Sequence, residues 1–407
     1  MKLSVSSDVL ALALFLASAV DARAQAQTQP PGPPSMEIYG FGQADAIADF
    51  NQNDPNWFDL NRPSRLPSSP NQFGQDGRFY LSARQSRFGV RSTVPTSMGD
   101  VKANFEFDMF GTGKDAGLTT IRLRHAYGQF KQIGAGQTNS QFMDPDVFPN
   151  ILDYWAPNGM LLFRNVQVFW EPYRNGDSHA RLAVENPGAT GDSGAFSDRV
   201  EVQNVTGRFP SPDFTGHYRA AASWGYVQIG GVLRYIAYDD PNANATLNLS
   251  GHVWGGGVSG SSNVKAGEND ILRVQATYGA GIEKYFNDAP IDVGIEKSPG
   301  NPVTPLVGKA LPVFGLMVYL DHKWNPRWAT SAGYSLVDIS NSDGQAPNAF
   351  RKGHYVSASL ACTPVPSVIM SSELQWARRE NFSDGFSVDD VRLQFSFRYS
   401  FSVKMGG

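Results

Sequence analysis

The chain has 407 residues, 41% of them hydrophobic, 12% aromatic and only 18% charged, with 41 glycines and a formal net charge of −4. Disorder needs low hydrophobicity with high net charge, and nucleic-acid binding leaves a strongly basic footprint; neither fits. One cysteine, Cys362, rules out an intrachain disulfide framework and a multi-cysteine zinc site.

Residues 1–24 read as a cleaved signal peptide. Lys2 supplies a positive start, VLALALFLASAV (9–20) an apolar centre, and Ala22-Arg23-Ala24 a cleavage site. The apolar run is shorter than the ~20 residues of a spanning helix. Residues 25–35 (QAQTQPPGPPS) predict an extended Pro-rich periplasmic linker. Beyond it no stretch approaches a spanning helix. An exported chain can still cross a membrane as a closed β-barrel, which pairs every backbone group between strands.

From residue 36 to 401 the chain alternates with a period of two. The cleanest run is VKANFEFDMF (101–110). Val101, Ala103, Phe105, Phe107 and Met109 share one face; Lys102, Asn104, Glu106 and Asp108 share the other. A Lys or Arg facing lipid at mid-depth costs ~2–4 kcal/mol, so the ionised face is expected to look into a watery interior. Strand-like runs precede it at 37–50 and 79–94 and recur to the end, where Val391, Leu393, Phe395, Phe397, Tyr399 and Phe401 alternate with polar residues. Counted with the weaker runs they give a transmembrane antiparallel barrel of about sixteen strands, at ~9–11 residues per strand. Polar stretches at 51–77, 187–197 and 296–309 read as long loops. Tyr39, Phe50, Phe79, Phe110, Phe130, Trp170, Tyr238, Phe286, Trp324, Trp328 and Phe401 lie near strand ends, where interfacial girdles form. A soluble β-sandwich would also alternate, but needs no such rings. Residues 402–407 (SVKMGG) read as a C-terminal tail.

Residues 138–159 carry Asp144, Pro145, Asp146, Pro149, Asp153 and Pro157, too many prolines for a central strand. They predict a constriction loop folded into the lumen, its acidic Asp144, Asp146 and Asp153 facing wall arginines. Parity puts Arg87, Arg91, Arg122, Arg124, Arg181 and Arg392 inside. Arg84 has the wrong parity unless a bulge intervenes, and Arg164, at a strand start, is open. Rings of arginine favour anions, and a guanidinium binds carboxylate bidentately. The competing role for each arginine is pairing with the lumen acids Asp45, Glu106 or Asp108. No catalytic motif, metal-ligand spacing or phosphate loop occurs, so neither enzyme activity, cofactor nor metal is expected.

Several signatures follow in order: Ile38-Tyr39-Gly40-Phe41, SARQSRFGVRSTVPT (82–96), GDVKANFEFDMFG (99–111), IRLRHAYGQF (121–130), GAGQTNSQFMDPDVFPNILDYWAPNG (134–159), LAVENP (182–187) and RLQFSFRYSF (392–401). Together they resemble DcaP-like porins, outer-membrane channels linked to dicarboxylic-acid uptake. The resemblance implies a sixteen-stranded barrel, a homotrimer in a Gram-negative-type outer membrane among lipid and lipopolysaccharide, and passive uptake of small anions such as dicarboxylates or aromatic acids. An outer-membrane barrel with an adhesive or structural role, or a hydrolase, is the alternative.

Overall fold

The residues of Val101–Phe110 are paired on both sides, and their two faces meet different surroundings. Phe105 is half exposed on the outside, whereas Glu106 and Asp108 turn inward and are buried against arginines. The computed structural model describes residues 32–406, so the signal peptide and the linker as far as residue 31 lie outside the described residues.

One sheet contains eighteen strand segments. Two pairs of segments are halves of single strands. Arg78–Ser82 and Arg87–Val94 both pair with Ser35–Asp49, and Thr206–Arg208 and Asp213–Ala222 both pair with Gly225–Asp239. The wall is therefore a closed antiparallel barrel of sixteen strands, sealed where Ser387–Gly406 pairs with Ser35–Asp49. Closure removes the sheet edges that lipid could not satisfy. Connections alternate in length. Residues 131–132, 176–177, 223–224 and 366–367 make the shortest turns at one end; 50–77, 140–163, 186–205 and 281–311 make the longest loops at the other. Gly176, at φ 59, supplies the left-handed residue that a two-residue hairpin turn favours.

The outward face is greasy: Leu81, Phe88, Ile121, Leu182, Ile229, Leu320, Leu374 and Phe395 are all exposed. The barrel's packed core lies inside it, at the long-loop end. Phe142 and Leu161 of loop 140–163 cluster with Tyr285 and Phe286 of loop 281–311 and with Val313, Val337 and Phe350 of the wall. Among the described residues no helix is long and apolar enough to cross a membrane; the strands do so.

Several expectations need correction. Tyr39, Phe110 and Phe286 do not belong to an outer girdle. Tyr39 points inward and donates to Glu106, Phe110 packs with Trp57 and Leu60, and Phe286 lies in the inner core. For Tyr39 and Phe110, parity and not nearness to a strand end decides the side; Phe286 belongs to loop 281–311 and not to a wall strand. Ser402–Gly406 is not a loose tail: residues 402–406 continue the last strand and pair with residues 35–39. Ser35, assigned to the linker, opens the first strand. Arg84 sits in the gap that splits the second strand, which turns its side chain onto Asp59 at 2.5 Å.

The two faces make a direct prediction. Phe105→Lys puts an ammonium into lipid and should destabilise the folded barrel by ~2–4 kcal/mol in bilayers. Asn104→Lys, on the wet face of the same strand, should change little. Urea unfolding in lipid vesicles measures both.

Candidate functional site

The site is assembled from the loop between Ile133–Asn139 and Arg164–Asn175. Residues 140–163 enter the lumen and are tied to the wall on several sides. Asp144 accepts from Arg219 (2.6 Å), Tyr226 (2.8 Å) and Ser261 (2.6 Å). Asn150 donates to Asp321 at 2.8 Å, the Gly159 amide to Ser335 at 2.9 Å, the Leu161 amide to Gln275 at 2.9 Å and the Leu152 amide to Glu373. Gly159 is needed for this approach: a Cβ there would stand 2.0 Å from the Leu336 carbonyl oxygen. The expected inward loop is thus present, and the long loops 50–77 and 281–311 brace it. Trp155 donates to the Asn287 carbonyl at 2.6 Å, and Arg62 pairs with Asp288 at 2.9 Å.

Between loop and wall lies a cavity of about 590 Å³. Its lining carries Arg87, Arg122, Arg124, Arg164 and Arg398. A second cavity of about 670 Å³ adjoins it, sharing His125, Asn139, Met143 and Pro145. Together they run from Thr112, in a connection at the long-loop end, to Asp177 and Lys265 at the short-turn end.

The wall arginines differ in how far they are committed. Arg122 grips Asp108 through Nη2 (2.7 Å) and Nε (3.1 Å). Arg124 reaches Glu106 at 2.5 Å and Asp108 at 3.0 Å, and Arg87 stands 3.7 Å from Glu106. The Tyr154 hydroxyl donates to Asp108 and lies within hydrogen-bonding reach of Arg87, Arg122 and Arg124. A bulge between Glu106 and Phe107 pairings lets both Arg124 and His125 face inward. Gly89 leaves room for the Tyr39 ring, which a Cβ would meet at 2.5 Å, so that Tyr39 reaches Glu106 across it. Arg398 and Arg164 pair with no carboxylate among the described residues. Arg398 donates to Gln43 at 2.7 Å and lies 4.3 Å over the Phe41 ring; the buried Nε of Arg164 has no partner. Five guanidiniums thus meet three carboxylates, Glu106, Asp108 and the lining residue Asp153, whose oxygens accept from the Asn61 and Trp155 amides. Burial raises the Asp153 carboxyl above its ordinary value, against those two amide bonds.

The remaining expected residues lie elsewhere. Arg392 faces inward as parity requires but is fully buried with Asp49 at 2.6 Å, away from the cavity. Arg181 lines the second cavity, paired with Glu171 at 2.6 Å. Arg91 sits at the turn end with Glu37 at 2.9 Å and its side chain 57% exposed. Asp45 is buried among Gln43, Gln394 and Ser396. Of the loop acids only Asp146 is open to solvent, and it too bonds Arg219. Asp144 meets one wall arginine, Arg219, in a closed ion pair, whereas Asp153 is held by the Asn61 and Trp155 amides; both fasten the loop. The sequence reading missed Arg398, although its alternation with Phe397 and Tyr399 puts it inside. It also left Arg164 open, because a strand's first residue has no neighbour to fix its parity.

The architecture recurs in solved structures. The outer membrane channel DcaP of Acinetobacter baumannii matches with a TM-score of 0.74 and 19% identity, over 90% of this chain and 97% of that one. The anion-selective porin of Comamonas acidovorans matches at 0.55 and 11% identity, over 90% and 100%. A loop-deleted OmpT, an outer membrane protein of Vibrio cholerae, matches at 0.54 and 13%, over 90% and 99%. At such identities these likenesses establish the fold alone. No curated protein sequence matches. The family model described as DcaP outer membrane protein matches residues 33–401, the whole barrel but its last few residues. The chain belongs to the DcaP family of outer membrane proteins, built as a porin-type channel.

Proposed function

We propose that the barrel is a passive channel that favours small organic anions. The observation that carries this reading is the pair of uncommitted guanidiniums, Arg164 and Arg398, in a lining where five arginines meet three carboxylates. Unlike arginines already held by Glu106 and Asp108, they keep donors for a passing carboxylate. The local field of the opening, not the net charge of −4, acts on an ion in transit. The Comamonas acidovorans porin, which shares this fold, is anion-selective, and that agrees with the reading. Dicarboxylates fit as one solute class, each end meeting one guanidinium.

The test is a planar bilayer holding the purified protein under a KCl gradient. The expected reversal potential has the sign of chloride permeation, and it shrinks as salt rises and screens the arginines. A potential of the opposite sign would overturn the reading. A homotrimer is proposed on the same footing. It is supported by the flat outer stripe of Gly42, Ala44, Ala46 and Ala48 beside the exposed Phe395, Phe397 and Tyr399. Cross-linking in native membranes should yield a trimer band.

A further inference from the structure

Tyr154, from loop 140–163, stands among the wall arginines and lines the same cavity. Its hydroxyl gives its proton to Asp108. Its oxygen is reached by Arg122 Nη2 at 3.1 Å, Arg87 Nη2 at 3.4 Å and Arg124 Nη1. Arg122 and Arg124 also donate to carboxylates at short range, Asp108 and Glu106. Arg87 does not. Glu106 stands 3.7 Å from its Nε, too far for a hydrogen bond, and that buried Nε has no partner. Among the described residues Tyr154 is the one acceptor that the Arg87 side chain meets. The phenol ring is held independently of its hydroxyl. It packs on Phe110, ring centroids 4.9 Å apart, beside Trp57 and Leu60, and the guanidiniums of Arg122 and Arg124 lie 5.5 and 5.7 Å from its centre.

We propose that Tyr154 sets how tightly the channel holds an anion. The proposal rests on the anion reading above and names a residue that governs it. The hydroxyl is a resident acceptor. It takes up the donors that Arg87 would otherwise offer to a solute, and leaves Arg164 and Arg398 as the pair that binds. A channel must hold an ion firmly enough to admit it and loosely enough to release it. Three open guanidiniums would trap an oxyanion of two charges, because charge-assisted hydrogen bonds are the strong ones. Arg87 and Arg398 both lie over the Phe41 ring, at 5.2 and 4.3 Å, so a dianion drawn to Arg398 comes within the field of Arg87. A neutral acceptor supplied by the loop weakens that grip without taking charge from the wall. Chloride, with one charge and no fixed geometry, is affected least.

The experiment is block of chloride current by potassium sulfate through the full barrel in planar bilayers, with the KCl reversal potential taken on the same membranes. Tyr154→Phe keeps the ring on Phe110 and removes only the acceptor. Its half-blocking sulfate concentration should fall about tenfold, the increment of one hydrogen bond to a charged group, with anion preference in KCl undiminished. Adding Arg87→Gln to Tyr154→Phe should restore most of the wild-type value. A residue that merely ties down the loop acts the other way: conductance rises, the reversal potential moves toward zero and sulfate blocks less. That result, or an unchanged block because Arg87 has closed onto Glu106, overturns the proposal and leaves the anion reading standing. Cation preference of the wild type in KCl overturns both. Arg87→Gln alone decides the matter where the tyrosine variant does not assemble. With Tyr154 in place it should weaken sulfate block less than Arg398→Gln does, and equal weakening overturns the proposal.

Discussion

Reversing both Arg164 and Arg398 to glutamate should turn the channel from anion- to cation-preferring. The wild-type opening sets five guanidiniums against three carboxylates; the double variant sets three against five. At 4 Å a unit charge interacts with an ion by ~1 kcal/mol in bulk water and ~4 kcal/mol at the effective dielectric near a protein surface. Since 1.4 kcal/mol is about tenfold in an equilibrium, a change of four charges is ample to invert the order of chloride and potassium. Neither side chain carries an ion pair whose loss would unfold the wall, so the variant should still assemble. Arg91→Gln is the control. Its side chain is 57% exposed at the turn end and bound to Glu37, so its removal should leave the reversal potential nearly unchanged. Retained anion preference in the double variant would remove Arg164 and Arg398 from any selective role.

Asp144→Ala should open the channel and weaken its selectivity together. The carboxylate holds the loop to three strands at once, through Arg219, Tyr226 and Ser261. Removing one member of a buried ion pair costs up to ~3–5 kcal/mol; Arg219 keeps Asp146, so the loss here is smaller and falls mainly on the bonds to Tyr226 and Ser261. Pro145 and Asp146 border open cavity and leave this part of the loop room to move, between the packed Met143 and Val147. The loop should swing off the Arg219 side, single-channel conductance should rise, and the KCl reversal potential should move toward zero. Asp144→Asn, which keeps an acceptor for Tyr226 and Ser261, should give an intermediate result. Unchanged conductance in the alanine variant would show that the remaining ties suffice to hold the loop.

Much of this molecule is legible in its residues because a barrel wall is a periodic object. Alternation at 101–110 and 391–401 fixes which side each residue faces, and parity correctly turned Arg87, Arg122 and Arg124 inward. Parity says nothing about what covers an inward residue. Arg392 faces in and is nonetheless fully buried with Asp49, a residue distant in sequence. The same limit governs the loop. Its prolines and aspartates predicted an inward fold, yet whether Asp144 would face solute or fasten the loop depended on Arg219, Tyr226 and Ser261, set by register around half the wall. Tyr39 departs from the girdle for a simpler reason: it lies near a strand end, but its odd position in the first strand turns it inward to Glu106.

A thin-walled cylinder is easily squashed into an oval when the surrounding lipid presses on it unevenly. The ties from loop 140–163 to Asp108, Arg219, Gln275, Asp321, Ser335 and Glu373 reach the wall on opposing sides, like spokes on a hub. Squeezing one diameter must then stretch or break ties on another. The aperture should accordingly keep its shape under lateral pressure, and its current should be quiet, with few of the flickering closures of an unbraced tube.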